Sequence, residues 1–293
     1  MHKFVFHNDS LLPLEQVRLS PGQAGLLNGW GVFTTIRIYE GQPFAFERHW
    51  KRLTTDAHRI DLPIVQNEAQ VRESLMELLR ANEVVDGCAR IYLVYNKIGI
   101  WSSREHMPTT DLIMYTTDLP LRVGPVKLGV QLNGRHAGHP LSGTKVTSWL
   151  QNVWLAEQAH ARGFEDMVLV NEREEVAECT AGNLFCVKAG SVFTPPLSTG
   201  CLAGVSRQIL LEEAERIGVS ISEHVMGLEE FLDSDEIFIT STTRQVQPVS
   251  HIEKREFTHE GEVTRALAKL FDHLVDLYVA SDEGHVHSGT LKS

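Results

Sequence analysis

Val176-Ala177-Glu178-Cys179-Thr180-Ala181-Gly182-Asn183-Leu184-Phe185 is the stretch on which the reading of this chain turns. It sets an acid between a β-rich segment and an apolar strand running from Asn183 to Val187. A carboxylate in such a setting is costly unless something pairs with it. A protonated ring nitrogen would serve as partner to Glu178. So would an arginine, in which case Glu178 is a structural ion-pair member.

Working upstream, His139-Pro-Leu-Ser-Gly-Thr-Lys145 is a polar loop leading into a helix, with no acidic residue beside the lysine. An amine among apolar neighbours has its charged form disfavoured, which makes it a nucleophile for carbonyls. The alternative is a lysine with its head in water. Downstream, Leu202-Ala-Gly-Val205-Ser206-Arg207 is a glycine turn entering a helix, and Thr240-Ser-Thr242-Thr243 is a run of hydroxyls after a strand. Free amides at a helix start with a serine beside them suit an anion, although a serine N-cap has the same look. Arg52, in Glu47-Arg-His-Trp-Lys-Arg52-Leu53, offers a fixed positive charge or faces solvent. One ligand would use all of these groups: an aldehyde for Lys145, a pyridinium for Glu178, a phosphate for the helix end and the arginine. That ligand is pyridoxal 5'-phosphate (PLP).

The chain around these segments mixes strands and helices throughout. Strands are expected at Phe4–His7, Val32–Tyr39, Pro43–Phe46, Ala89–Tyr95 and Leu112–Thr117, with helices over Glu47–Arg59 and Asn67–Glu83. Asp118-Leu-Pro-Leu-Arg-Val-Gly-Pro125, broken by two prolines and a glycine, reads as a joint. Beyond it come strands at Val126–Leu132, Met167–Asn171, Asn183–Val187, Gly190–Pro196 and Glu236–Thr240. Helices are expected over Thr147–Arg162, Ser206–Ile217 and Glu262–Tyr278. The class is α+β (mixed α/β) in two domains: residues 1–120, a linker at 121–125, residues 126–280, and a flexible tail at 281–293.

Composition sets the outer bounds. The length of 293 residues suits two domains at the usual ~150 residues each. A hydrophobic fraction of 42% and a charged fraction of 22% are ordinary globular usage, which excludes disorder, collagen and coiled coil. Lys plus Arg number 27 against 38 Asp plus Glu, a net charge of −11 with no basic run, so nucleic acid and anionic membrane are poor partners. No stretch is long and apolar enough to span a bilayer, and Met1 to His7 lacks an apolar signal core. Four cysteines without CxxC spacing point to reduced thiols and to no metal. A cytoplasmic protein is the expectation.

Six segments in order, Gly29-Trp-Gly-Val-Phe-Thr-Thr-Ile-Arg37, His49-Trp-Lys-Arg52-Leu53, Gly143-Thr-Lys145, Glu178-Cys-Thr-Ala-Gly-Asn-Leu-Phe185, Gly204-Val-Ser-Arg207 and Thr240-Ser-Thr-Thr243, resemble the class IV, fold-type IV aminotransferase family. That family contains branched-chain aminotransferases, D-amino-acid aminotransferases and aminodeoxychorismate lyases. The resemblance implies a small N-terminal and a larger C-terminal domain with PLP at the joint, in a homodimer. It implies that Lys145 carries the cofactor as an internal aldimine and shuttles the α-proton, and that Glu178 keeps the pyridine nitrogen protonated. Arg52, Val205, Ser206, Thr242 and Thr243 would hold the phosphate.

Within the family the substrate residues are mixed. Phe33 and Arg37 stay where branched-chain enzymes carry Phe-Glu-Gly-x-Arg, but Thr34 and Thr35 replace the Glu and Gly. Phe33-Thr-Thr35 and Glu178-Cys179 look more like the lyases. Arg90 falls where branched-chain enzymes have an arginine near the substrate carboxylate, and Tyr92 where D-amino-acid enzymes have a tyrosine. Trp149 stands nearest the position of a tyrosine that bonds the cofactor's phenolic oxygen. Arg244 would read a second carboxylate or face solvent. The first expectation is transfer of an amino group from a branched-chain L-amino acid to a 2-oxo acid such as 2-oxoglutarate. The alternatives are release of 4-aminobenzoate and pyruvate from aminodeoxychorismate, transamination of D-amino acids or amines, and a non-enzymatic PLP-binding module.

Overall fold

The computed structural model describes residues 1–96, 110–119 and 124–281. The chain falls into two compact units, Met1–Leu119 with the segment from Asp272 onward, and Pro120–Phe271. Residues 121–123 of the expected linker and 282–293 of the expected tail lie outside the described residues.

The first unit contains β1 (Phe4–His7), β2 (Ser10–Pro13), α1 (Ala24–Asn28), β3 (Gly31–Tyr39), β4 (Gln42–Pro43), α2 (Phe46–Arg59), α3 (Glu68–Ala81), β5 (Gly87–Tyr95) and β6 (Thr110–Thr117). Its strands form one sheet in the order β2-β1-β6-β5-β3-β4, every pair antiparallel. Alternation decides its faces. Val32, Ile36 and Ile38 of β3, Ala89, Ile91 and Leu93 of β5, and Leu112 and Met114 of β6 share one buried cluster with residues of α2 and α3. On α2 the buried positions Phe46, His49, Trp50, Leu53 and Ala57 recur every three or four residues, which is one face of a helix. On α3, Val71, Leu75 and Leu78 do the same. Asn67 starts α3 with a capping box: its Oδ1 accepts the Gln70 N–H at 3.0 Å and Gln70 Oε1 accepts the Asn67 N–H at 2.9 Å.

The strand expected over Pro43–Phe46 stops at Pro43. Ala45 takes a left-handed φ of 52°, which turns the chain and lets Phe46 open α2 with its ring fully buried.

The second unit contains β7 (Val126–Gln131), α4 (Leu150–Ala161), β8 (Asp166–Val170), β9 (Val176–Cys179), β10 (Asn183–Lys188), β11 (Ser191–Thr194), α5 (Val205–Glu213), β12 (Ile221–Glu223), α6 (Leu228–Leu232), β13 (Glu236–Ser241), β14 (Gln245–Ile252) and β15 (Arg255–Glu256). The last helix, α7 (Glu262–Ala280), starts in this unit, and its second half counts with the first. The strand order is β12-β11-β10-β13-β14-β7-β8-β9, with β15 beside β14. β9 ends this order, yet only residues 180–182 separate it from β10 near the other end, so the sheet curls back on itself. Val168, Val176, Leu184, Ile237, Ile239 and Val249 fill its core.

The second unit departs from expectation at α4, α5 and β14. α4 begins at Leu150 rather than Thr147, because the amides of Val146 and Trp149 bond the carbonyls two residues back, at 3.1 and 2.7 Å, in place of helical partners. α5 ends at Glu213, and residues 214–217 tighten into a 3₁₀ turn closed by Gly218. β14 was not foreseen: Pro248 reads as a breaker, but here it stands opposite Phe238 inside the ladder, next to a register shift at Val249–His251.

Candidate active site

Lys145 and Glu178 both belong to the second unit. Lys145 sits in the turns before α4. Gly143 there has φ 71°, and a Cβ on it would stand 3.1 Å from Cys201 O, so the loop closes tightly on the segment at 200–202. Ser142 Oγ donates to Gly200 O at 3.2 Å and fastens the same contact. Lys145 Nζ lies 4.4 Å from the centre of the Trp149 ring.

Glu178 stands on β9 opposite Leu169, buried with all of that strand. Its Oε1 is 2.8 Å from Arg135 Nη2, and its Oε2 accepts the Leu202 N–H at 3.0 Å. Burial pushes the Glu178 carboxyl above its ordinary value; Arg135, the Leu202 N–H and Lys145 pull it down, and Asp166 adds a smaller push upward. Arg135, Thr144, Trp149, Asn152, Glu178 and Leu202 line a cavity of about 300 Å³.

A second group of donors stands nearby on α5 and β13. Val205 and Ser206 open α5, and no side chain caps its first amides. A Cβ on Gly204 would collide with Asn183 Oδ1. Asn183 also donates from Nδ2 to Leu202 O at 2.8 Å and is the register partner of Thr240. Through Asn183, the start of α5 and the end of β13 converge. There Thr240 Oγ1 and Ser241 Oγ are buried with no hydrogen-bond partner among the described residues, as is Thr144 Oγ1. Buried hydroxyls without partners are rare in native proteins and suit a polar ligand. Thr242 and Thr243 follow in the turn to β14.

Arg244, read from sequence as facing a second carboxylate or water, turns inward instead. Its side chain is 4% exposed and lies on the protein's own Asp166, Nη2 to Oδ2 3.4 Å.

The first unit holds the remaining predicted residues. Arg52 on α2 is half-buried and donates from Nη2 to Thr34 Oγ1 at 3.0 Å; the same hydroxyl is 2.9 Å from His49 Nδ1. Burial lowers the Arg52 guanidinium below its ordinary value, against the pull of Asp56. On the sheet face away from α2, Thr35, Arg90 and Tyr115 form one row and Phe33, Tyr92 and Ile113 the next. Tyr92 stacks on Phe33 at 5.3 Å and on Tyr115 at 5.7 Å, and the two tyrosine hydroxyls are 3.2 Å apart. Burial works against the charge of Arg90, but bonds and charge from Tyr92 and Tyr115 outweigh it and hold the guanidinium above its ordinary value. Burial raises the Tyr115 phenol to about 12. Arg37 is tied elsewhere: it pairs with Asp86, donates to Ile38 O and to Gly87 O, and lies 4.2 Å over the Tyr39 ring.

A family model described as amino-transferase class IV matches residues 31–252. The chain belongs to the class IV aminotransferase family. It is thus an enzyme of a PLP-dependent family. It is 28% identical over 276 residues to the aminodeoxychorismate lyase of Bacillus subtilis (strain 168), covering 91% of this chain and 93% of that one. It is 26% identical over 283 residues to the D-alanine aminotransferase of Listeria monocytogenes serotype 1/2a (strain 10403S), covering 91% and 94%. The structure of the branched-chain aminotransferase from the archaeon Thermoproteus uzoniensis with norvaline superposes with a TM-score of 0.86 at 24% identity, covering 94% of this chain and 95% of that one. That likeness identifies the fold.

Three residues of the enzyme's candidate site escaped the sequence reading. Arg135 sits in a Gly/His/Pro loop far in sequence from Glu178, and the β7-β8-β9 register brings them together, Gln131 standing opposite Leu169 and Leu169 opposite Glu178. Tyr115 becomes the neighbour of Arg90 through the β5–β6 register. Asp166 carried a weak signal as an acid at the head of an apolar strand.

Proposed function

We propose that this enzyme binds PLP in the second unit and moves an amino group from a branched-chain L-amino acid to a 2-oxo acid such as 2-oxoglutarate. The observation that carries the reading is the gathering, within one unit, of Lys145, the buried Glu178, the uncapped start of α5 and the unpartnered hydroxyls of Thr240 and Ser241. The α5 amides with Ser206, and the turn at Thr242–Thr243, would hold the phosphate. Glu178 Oε would face the pyridine nitrogen. A carboxylate whose proton affinity is raised by burial gains most from a cation placed against it. Bound PLP supplies an electron sink for the charge left when the α-proton departs. Lys145 Nζ would take that proton and return it. The Trp149 ring, 4.4 Å from that amine, would cover one side of it.

Arg90, with the hydroxyls of Tyr92 and Tyr115 beside it, suits a carboxylate, and the stacked rings of Phe33 and Tyr92 suit an apolar side chain. Arg52 is a half-buried charge suited to an anion. A homodimer is the form we expect on the family resemblance, and a cytoplasmic location on the composition.

Aminodeoxychorismate lyase is a second reading, favoured by Phe33-Thr34-Thr35 and by the Bacillus subtilis relative. The experiment supplies the PLP-loaded enzyme with L-leucine, L-valine or D-alanine plus 2-oxoglutarate and measures glutamate. Separately, it supplies aminodeoxychorismate with no acceptor and measures pyruvate. Glutamate from the L-donors supports the first reading. Pyruvate without an acceptor replaces it with the lyase. Turnover of D-alanine alone moves the donor to the D-series, and PLP binding without any turnover leaves a binding module.

A further inference from the structure

The hairpin turn that bears Thr242 and Thr243 is held from beneath by a buried ion pair. Arg244 closes the turn with its own N–H on Ser241 O at 3.2 Å, and Gln245 follows at φ 54°. Arg244 then sends its guanidinium into the unit. Nη1 donates to Gln247 Oε1 at 2.9 Å and Nη2 to Asp166 Oδ2 at 3.4 Å. Gln247 is itself fixed by donating to Gly124 O at 3.0 Å.

Asp166 divides its two oxygens. Oδ2 takes Arg244, while Oδ1 takes the Met167 N–H at 2.8 Å, the Thr180 N–H at 2.9 Å and Thr180 Oγ1 at 2.6 Å. Thr180 lies two residues past Glu178, and its carbonyl is bonded by Asn152 Nδ2 at 2.6 Å. A single carboxylate therefore joins the turn of Thr242–Thr243 to the chain just after Glu178. We propose that Arg244 and Asp166 are positioning residues that hold the Thr242–Thr243 turn in its phosphate-binding conformation by anchoring it to the chain just after Glu178. This rests on the PLP-binding reading given above. Fixing donors before the ligand arrives is what converts contacts into affinity. A pair that served stability alone would leave the affinity of the folded protein untouched.

The test uses cofactor-free full-length protein, unchanged and as Arg244→Met, Arg244→Lys and Asp166→Asn. Three quantities are read: Kd for PLP by tryptophan fluorescence, Kd for inorganic phosphate by competition with PLP, and Tm. Arg244→Met and Asp166→Asn are expected to weaken both ligands by on the order of tenfold. Arg244→Lys keeps the charge but cannot reach Asp166 and Gln247 together, so its two Kd values should fall between. Folded variants whose PLP Kd stays within about twofold of the unchanged protein, whatever their Tm, would overturn the proposal. So would weaker PLP binding with phosphate binding intact. If Arg244→Met does not fold, the Lys variant decides by the same criterion. An unchanged protein that binds no PLP would defeat the functional reading itself, whereas normal PLP binding in every protein defeats only this inference.

Discussion

Glu178 stands under two opposed influences, burial that disfavours its charge and the Arg135 guanidinium that favours it, with burial the larger. The folded protein therefore holds this proton at pH values where the unfolded chain has released it. Stability from this source is complete below the ordinary carboxylate value and is lost as pH rises through the raised one. In cofactor-free protein, Glu178→Gln should remove that part of the fall of Tm with rising pH. An identical pH dependence in both proteins would show that Glu178 is not the group responsible. Lys145→Ala should cut turnover by ~10²-fold or more while the cofactor still binds through its phosphate, because the α5 amides and the 242–243 turn are untouched. Kinetics together with fluorescence titration checks both halves. Near-normal turnover would remove Lys145 from the chemistry.

At the scale of elements, the start of α5 is set by the clearance at Gly204. A Cβ there collides with Asn183 Oδ1, and overpacking of this kind costs about 1–3 kcal/mol. Gly204→Ala should therefore lower Tm and weaken PLP together, and a variant altering neither would show that the helix start is free to move. In the first unit, Tyr278 OH accepts the Phe46 N–H at 3.3 Å and offers its hydrogen to Pro43 O and Glu47 Oε2, each at 3.2 Å. Tyr278→Phe should cost about 1–3 kcal/mol in chemical unfolding, since it leaves a buried helix-start amide unpaired. An unchanged midpoint would mean water replaces the phenol. The elements that carried a period or a cap, such as α2, α3 and β3, were readable in advance. Those that lack such a signal were not: β9 and β12 are only four and three residues long, and β14 carries Pro248 inside its ladder, so pairing and not local pattern makes them strands.

The whole molecule is two units, each with its own apolar cluster, and none of its described helices is long and apolar enough to cross a membrane. The family was legible because the segments that resemble it are short and contiguous, Gly143–Lys145 and Glu178–Phe185 among them. The substrate was not, because Arg90 acquires Tyr115 only through sheet register, and Arg244 meets Asp166 only because β14, β7 and β8 lie side by side in the second sheet. The central claim is that one buried constellation in the second unit takes PLP and uses it on an L-amino acid. The most direct measurement is the absorbance spectrum of the PLP-loaded protein before and after L-leucine is added without an acceptor. The account predicts a yellow protein whose visible band disappears with L-leucine and returns with 2-oxoglutarate. A protein that never turns yellow would contradict the cofactor assignment, and a yellow band indifferent to L-leucine would contradict the proposed donor.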